Sequence, residues 1–285
     1  MIDIKFIREN PEFVQKAAKD KGIDVDIIHI LEINAKYKEL SLSVQKLREE
    51  RNKTSKEQNV EKGREIKEKL EKEEHALKAV EEELHNWLLK VPNPAKQDVK
   101  FGKDESENEV IKKYKGPQKF DFQPKDHLDL GEQLDIIDIK RAAKVSGTRF
   151  AYLKNEGVLL EFALVQLAFE ILVKEGFTPI VPPVLISKES MQGLGYMENG
   201  GEEDMFQIPA DNLFLVGTAE HALVPMHKDE VFAKKDLPKR YVGFSSAFRR
   251  EAGSYGKDTR GILRVHQFDK VEMVSFVKPE DDEKE

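Results

Sequence analysis

The chain has 285 residues, 47 Lys and Arg against 54 Asp and Glu, and a net charge of −7. Charged residues are 35% of it, above the ~25% of an average globular protein. That balance excludes an all-over basic coat for nucleic acid but leaves room for a local basic patch. The absence of cysteine excludes disulfides, thiolate metal sites and thiol nucleophiles.

At roughly 150 residues per domain, the length suits about two domains. The most apolar stretch, Val158 to Val173, is interrupted by Glu161, Gln166 and Glu170, so no membrane span of about 18 apolar residues is expected. The start, MIDIKFIREN, carries Asp3 and lacks the apolar core of a signal peptide. A soluble, cytoplasmic protein is expected.

Asn10-Pro11-Glu12 is a helix-start signal, with Asn10 as cap and Pro11 in the first position. Ile30, Ile33, Tyr37, Leu40, Val44 and Leu47 then recur at alternating spacings of three and four. A second run, Ile66, Leu70, Glu73, Leu77, Val80, Leu84, Trp87 and Val91, repeats the pattern with Glu73 as its one polar member. Such spacing predicts two long helices packed as a coiled coil, joined by a polar tip near Gln58 to Gly63. Arms of ~30 residues reach about 45 Å.

Charge along this hairpin is uneven. Residues 51–72 carry eight bases, including Arg51, Lys53, Lys56, Lys62 and Arg64, and five acids. Residues 73–85 carry one base and five acids. A solvated coiled coil with i,i+4 ion pairs accounts for this. So does a probe for a phosphate backbone, with positive charge concentrated where the arm projects furthest.

Pro92-Asn93-Pro94 stops the second helix, and polar residues 95–126 read as a linker. The remainder reads as α+β. Helices are expected over Leu128 to Ala143 and over Val158 to Lys174, the latter ended by Gly176. Val145 to Leu153 reads as strand and turn. Thr178 to Ser187, broken by Pro182-Pro183, suits a sheet edge or a boundary with another subunit. Met191 to Asp204 is a glycine-rich loop with three acids. Strands are expected over Leu213 to Thr218, Arg240 to Glu251 and Leu263 to Val277, with a polar loop from Ala252 to Gly261.

The last two strands predict an antiparallel hairpin. Alternation puts Arg249 and Glu251 on one face, with Arg264, His266, Phe268, Lys270 and Glu272. Arg264 and Glu272 are eight positions apart, about 26 Å of strand. Arginine forks suit phosphate oxygens, an aromatic face suits a nucleobase, and carboxylates suit an ammonium. Surface ion pairs on an exposed sheet would show the same alternation. His221, His227 and His266 lack metal-ligand spacing and read as structural.

The segment FRREAGSYGKDTRGILRVHQFDKVEM (248–273) resembles motif 2 of class II aminoacyl-tRNA synthetases, specifically of seryl-tRNA synthetases. Three more segments resemble that family in order: AAKVSGTRFAYLKNEG (142–157) its catalytic entry, GFTPIVPP (176–183) motif 1 with its dimer-strand prolines Pro182 and Pro183, and VGTAEHAL (216–223) the serine loop. NPE near residue 11 and ERNKTSK (50–56) resemble its tRNA-binding arm.

The resemblance implies an α+β fold. A long antiparallel helical hairpin, residues 1–110, binds tRNA. A partial catalytic domain, residues 111–285, carries a class II antiparallel sheet with flanking helices. Arg249 is implied to contact the ATP α-phosphate and the serine carboxylate, and Arg264 the bent triphosphate; these two are the implied catalytic residues. Arg250 belongs to the same ATP site. Glu251 is implied to bind the adenine amino group, Val265 the nucleotide through its backbone, and Phe268 the adenine by stacking. Thr218, Ala219, Glu220 and Glu272 are implied for serine, and Arg51, Lys53, Lys56, Lys62 and Arg64 for tRNA.

The implied partners are L-serine, ATP, tRNA(Ser) and a second copy of the chain, with no membrane and no DNA. The implied chemistry is formation of seryl-adenylate, then transfer of the seryl group to tRNA. Neither step needs a protein nucleophile; positioning and charge stabilisation by arginines and Mg²⁺ suffice. The family continues into acidic Mg²⁺ ligands and motif 3, which nothing here matches. The expected fold is therefore C-terminally incomplete, with no protein metal ligands in this chain. Poor serine activation is expected of it as it stands. A non-catalytic tRNA-binding remnant is the alternative, and a coiled-coil adaptor a third reading.

Overall fold

Asp3 and the Asn10-Pro11 pair set the first turns of the chain in the computed structural model, which describes residues 2–56, 59–96, 98–197, 201–252 and 261–285. α1 (Ile4–Glu9) is capped by the Asp3 carboxylate, which accepts from the Lys5 N–H. α2 (Pro11–Asp20) begins on Pro11, but the Asn10 side chain does not cap it. Its side-chain amide donates instead to the Phe6 carbonyl of α1.

α3 (Ile27–Lys56) and α4 (Val60–Leu89) form the hairpin. Ile30, Ile33 and Val44 from one arm and Ile66, Leu70, Val80 and Leu84 from the other are buried, so the three–four spacing is the packing seam. At the base, Ile7, Val14, Ala18 and Val25 close the core over the same helices. Arg48 crosses to Glu74, its Nε and Nη2 donating to one carboxylate oxygen at 2.9 and 2.7 Å. Gly63 lies inside the first turn of α4 rather than in the tip, because Asn59 caps the helix by accepting from the Lys62 N–H. Gln58, at the start of the expected tip, lies outside the described residues. Between residues 95 and 126 the described chain holds no strand and one short 3₁₀ turn, Glu105–Glu107. Two units divide within that stretch, Met1–Gly116 and Pro117–Glu285.

The second unit departs from expectation at its start. The helix expected over Leu128 to Ala143 is two helices, α5 (His127–Gln133) and α6 (Ile139–Ser146), separated by β1 (Ile137–Asp138). Asp135 takes a left-handed turn, φ 53°, and the chain folds back so closely that a Cβ on Gly131 would lie 2.5 Å from Ile137 Cδ1. Asp138 then caps α6 by accepting from the Arg141 N–H. The strand expected from Val145 shrinks to β2 (Tyr152–Leu153), antiparallel to β1.

α7 (Glu156–Lys174) ends before Gly176, which takes φ +87°. It buries none of its residues in this unit, and Leu159, Phe162 and Leu167 are exposed. β3 (Thr178–Ile180) and β4 (Leu185–Ser187) flank the two prolines. α8 (Lys188–Gly193) occupies the start of the expected glycine-rich loop, with Met191 fully buried. β5 (Gln207–Ile208) and β6 (Leu213–Leu215) follow, and the small sheet has order β4-β6-β5. After α9 (Glu220–Leu223), two ten-residue strands, β7 (Lys239–Phe248) and β8 (Gln267–Phe276), pair antiparallel from Lys239↔Phe276 to Phe248↔Gln267. β3 joins β7 in parallel as an edge strand, so this sheet is mixed rather than wholly antiparallel.

Both long strands are shorter than expected at their facing ends. β7 stops before Arg249, and β8 starts after His266. Arg249, Glu251 and Arg264 therefore do not sit on strands, and no straight 26 Å row joins Arg264 to Glu272. Most of the expected loop from Ala252 to Gly261 lies outside the described residues.

Candidate active site

Side chains directly opposed across β7 and β8 share a face, which puts Phe268, Lys270 and Glu272 with Ala247, Ser245 and Gly243. Ala219 and α9 press on this face. A Cβ at Gly243 would lie 2.7 Å from Leu223 Cδ1 and 3.3 Å from Ala219 Cβ, so a glycine there lets the helix sit close. Thr218, just before α9, donates its hydroxyl to Glu272 at 2.6 Å. Lys270 Nζ lies 2.5 Å from Glu272 and 3.1 Å from the Thr218 hydroxyl. Burial opposes ionisation of Glu272, but donation from Lys270 and Thr218 outweighs it and holds the carboxyl below its ordinary range.

The mouths of the strands form the other half of the site. The Arg249 N–H donates to the His266 carbonyl, and the His266 ring is 2.9 Å from the Arg249 carbonyl. The Arg249 guanidinium lies 5.3 Å from the centre of the Phe268 ring, and its Nε donates to the Gly217 carbonyl at 3.1 Å. Glu251 takes a left-handed backbone, φ 54°, which swings its carboxylate to 3.1 Å from Arg264 Nε. The pairing expected along one strand is thus made by a turn. Arg250 is exposed and lies over Phe206 at 5.9 Å. Val265 and Phe268 line a cleft of about 520 Å³ with Phe150, Tyr152 and Glu161. Burial, then the nearby Asp269, pushes the Glu161 carboxyl up.

Glu220 stands at the first position of α9, with the Tyr196 hydroxyl donating to it at 3.4 Å. Burial, and then the Glu220 charge, pushes that phenol up. Pro182 is buried and Pro183 exposed between β3 and β4. In the other unit Arg51, Lys53 and Lys56 occupy the distal end of α3 and Lys62 and Arg64 the start of α4, all exposed.

Three participants were given no role in the sequence. Lys270 shares the Glu272 face two positions away, so alternation held that signal. Asp204 accepts from the Arg250 and Ala252 N–H groups through its carbonyl and carboxylate, each at 2.9 Å. Tyr196 packs on His221, with ring centroids 4.2 Å apart. Contacts at such sequence separations leave no local pattern. Among the described residues no group of three His, Asp or Glu could hold a metal ion.

Residues 1–95 match the seryl-tRNA synthetase N-terminal domain, and residues 205–285 match the tRNA synthetase class II core domain (G, H, P, S and T). The β7–β8 sheet with α9 against it falls within the class II core match, so the fold is that of a class II aminoacyl-tRNA synthetase. A serine–tRNA ligase from Dictyoglomus turgidum is 42% identical over 99% of this chain and 70% of its own length. The seryl-tRNA synthetase of Pyrococcus horikoshii, solved with ATP, superposes with a TM-score of 0.86 at 34% identity, over 100% of this chain and 71% of that one. The cytoplasmic enzyme of Naegleria fowleri, solved with AMP, gives 0.82 at 26% identity, over 96% and 65%. The chain belongs to the serine–tRNA ligase family. No helix among the described residues is long and apolar enough to cross a membrane.

Proposed function

We propose that the chain binds ATP and L-serine on the β7–β8 face, forms seryl-adenylate, and passes the seryl group to tRNA(Ser) held by the α3–α4 arm. The observation that carries the reading is the convergence of Arg249, Phe268, Thr218 and Glu272 on one sheet face beneath α9. In this reading residues 1–110 form the tRNA arm and residues 111–285 the class II domain, acting as a cytoplasmic homodimer through the strand carrying Pro182 and Pro183.

Phe268 stacks on adenine and Glu251 accepts from its amino group. Arg250 and the Val265 backbone add to the nucleotide site. Arg264 holds the bent triphosphate, and Arg249 neutralises both the α-phosphate and the serine carboxylate, so that two anions meet in line. Thr218, Ala219, Glu220 and Glu272 surround the serine ammonium and hydroxyl. A polar group that pairs with the hydroxyl discriminates against alanine, which leaves it unsatisfied. No protein nucleophile takes part.

Mg²⁺ belongs to this chemistry, but among the described residues the carboxylates of the site do not make a place for it. Glu272 is committed to Lys270 and Thr218, and Glu251 to Arg264. The steps above use only this chain's own groups.

ATP titration of Phe268→Ala and Arg264→Ala variants tests the reading. Loss of a base stack weakens binding roughly tenfold or more, while tRNA binding stays as in the parent. ATP affinity unchanged in both variants would overturn the assignment, and tRNA binding alone would leave the non-catalytic alternative.

A further inference from the structure

Residues Val216 to Thr218, in the connector between β6 and α9, are held by several hydrogen bonds. The Val216 N–H donates to the Val184 carbonyl at 2.9 Å, and its carbonyl accepts from the Phe248 N–H at 2.8 Å. Thr218 is tied to Glu272. Gly217, between them, has no side chain to restrict its rotation. Two bonds hold it instead. Its carbonyl accepts from Arg249 Nε at 3.1 Å, and its N–H donates to His221 Nδ1 at 3.2 Å.

We propose that His221 is a positioning residue for Arg249, acting through the Gly217 backbone; the inference rests on the function proposed above for Arg249. His221 is buried, 3% exposed, in α9 one turn beyond the glycine, and its ring lies under Tyr196. An N–H only donates, so Nδ1 must be the unprotonated nitrogen and the proton sits on Nε2. That Nε2 is buried with no partner among the described residues. An unsatisfied buried donor is costly, and a leucine or valine would avoid the cost. The histidine supplies what they cannot, an acceptor for Gly217. The ring stays in the accepting form at neutral pH, because burial, and then the Arg249 and Lys270 charges, brings it down to about 4. His221 and Phe248 hold the two ends of one peptide plane, the Gly217 N–H and the Val216 carbonyl, and so fix the glycine Cα from which the next carbonyl accepts from Arg249 Nε.

The test is a double-mutant cycle read by calorimetric binding of seryl-sulfamoyl-adenosine, a non-hydrolysable seryl-adenylate analogue, with folding checked by thermal melting. His221→Leu removes the acceptor and is expected to weaken binding about tenfold, the worth of one neutral hydrogen bond at its upper end. His221→Asn puts an acceptor oxygen near the Nδ1 position and is expected to stay within about twofold of the parent. In an Arg249→Ala background, His221→Leu is expected to change affinity less than about twofold, since residues acting as a unit are not additive.

His221→Phe keeps a ring under Tyr196 and replaces leucine in the cycle should the leucine variant not fold. Equal losses with and without Arg249, or no rescue by asparagine, overturn the positioning role. No effect of Arg249→Ala alone, or no binding by the parent chain, overturns the functional reading beneath it.

Discussion

Thr218 and Glu272 meet at 2.6 Å across 54 positions of sequence, and that bond docks the start of α9 onto the edge of β8. Thr218→Val keeps the shape and removes the donor. A hydrogen bond to a charged group is worth about 1.5–3 kcal/mol, so melting should fall by several degrees for a unit of this size. Glu272 should move back toward its ordinary range, and affinity for the seryl analogue should drop more than affinity for ATP. Equal losses for both ligands would place Thr218 outside the serine subsite.

His221 makes stability depend on pH with a definite sign. Its folded-state value is about 4, against 6.5 in the unfolded chain. The unfolded state therefore takes up a proton first as pH falls. The contribution is full above 6.5 and is lost between 6.5 and about 4, by up to about 3 kcal/mol. Arg249, Lys270 and Glu272 face the ring, but Glu272, lowered from 4.5, loses its own contribution only below that value. Denaturant midpoints of the parent and His221→Asn, compared at pH 7 and pH 5, isolate the histidine. The parent should lose more stability than the variant over that interval; parallel losses would contradict the assignment.

Two glycines carry packing rather than catalysis. At Gly243 a Cβ would press on the buried Leu223, so Gly243→Ala should lift α9 and cost about 1–3 kcal/mol. Gly261 takes φ +91°, and a Cβ there would lie 2.0 Å from His127 Nε2. Gly261→Ala should break the contact in which His127 accepts from the Ile262 N–H at 3.3 Å. Chemical denaturation of both variants checks this; unchanged midpoints would mean that the close approaches relax freely.

The arm offers a test independent of the sheet. Lys53, Lys56 and Arg64 are exposed on helices whose seam lies elsewhere. Replacing all three by Glu should leave the helical content intact, weaken tRNA binding, and flatten the slope of log affinity against log salt by roughly 2–3. Unchanged affinity and slope would remove the arm's assigned role.

The hairpin was legible because its seam is periodic: Ile30 to Val44 and Ile66 to Leu84 repeat at helical spacing, and burial follows that repeat. The β7–β8 pairing was legible from alternation, which also placed Phe268, Lys270 and Glu272 together. What the sequence hid is tertiary. Glu251 reaches Arg264 through a left-handed turn that a run of strand-forming residues does not announce. Ile137 pairs with Leu153, and that long-range bridge overrides the helical pattern from Leu128 to Ala143. Tyr196 and Asp204 matter through contacts with Glu220 and Arg250, and no spacing rule connects those pairs.

The most direct test of the central claim is calorimetric binding of seryl-sulfamoyl-adenosine beside its alanyl and threonyl counterparts. The account predicts a single site per chain, binding at least tenfold tighter for the seryl compound than for either control, and loss of that preference in Glu272→Gln. Equal affinity for all three, or no binding by a chain that still holds tRNA, would contradict it.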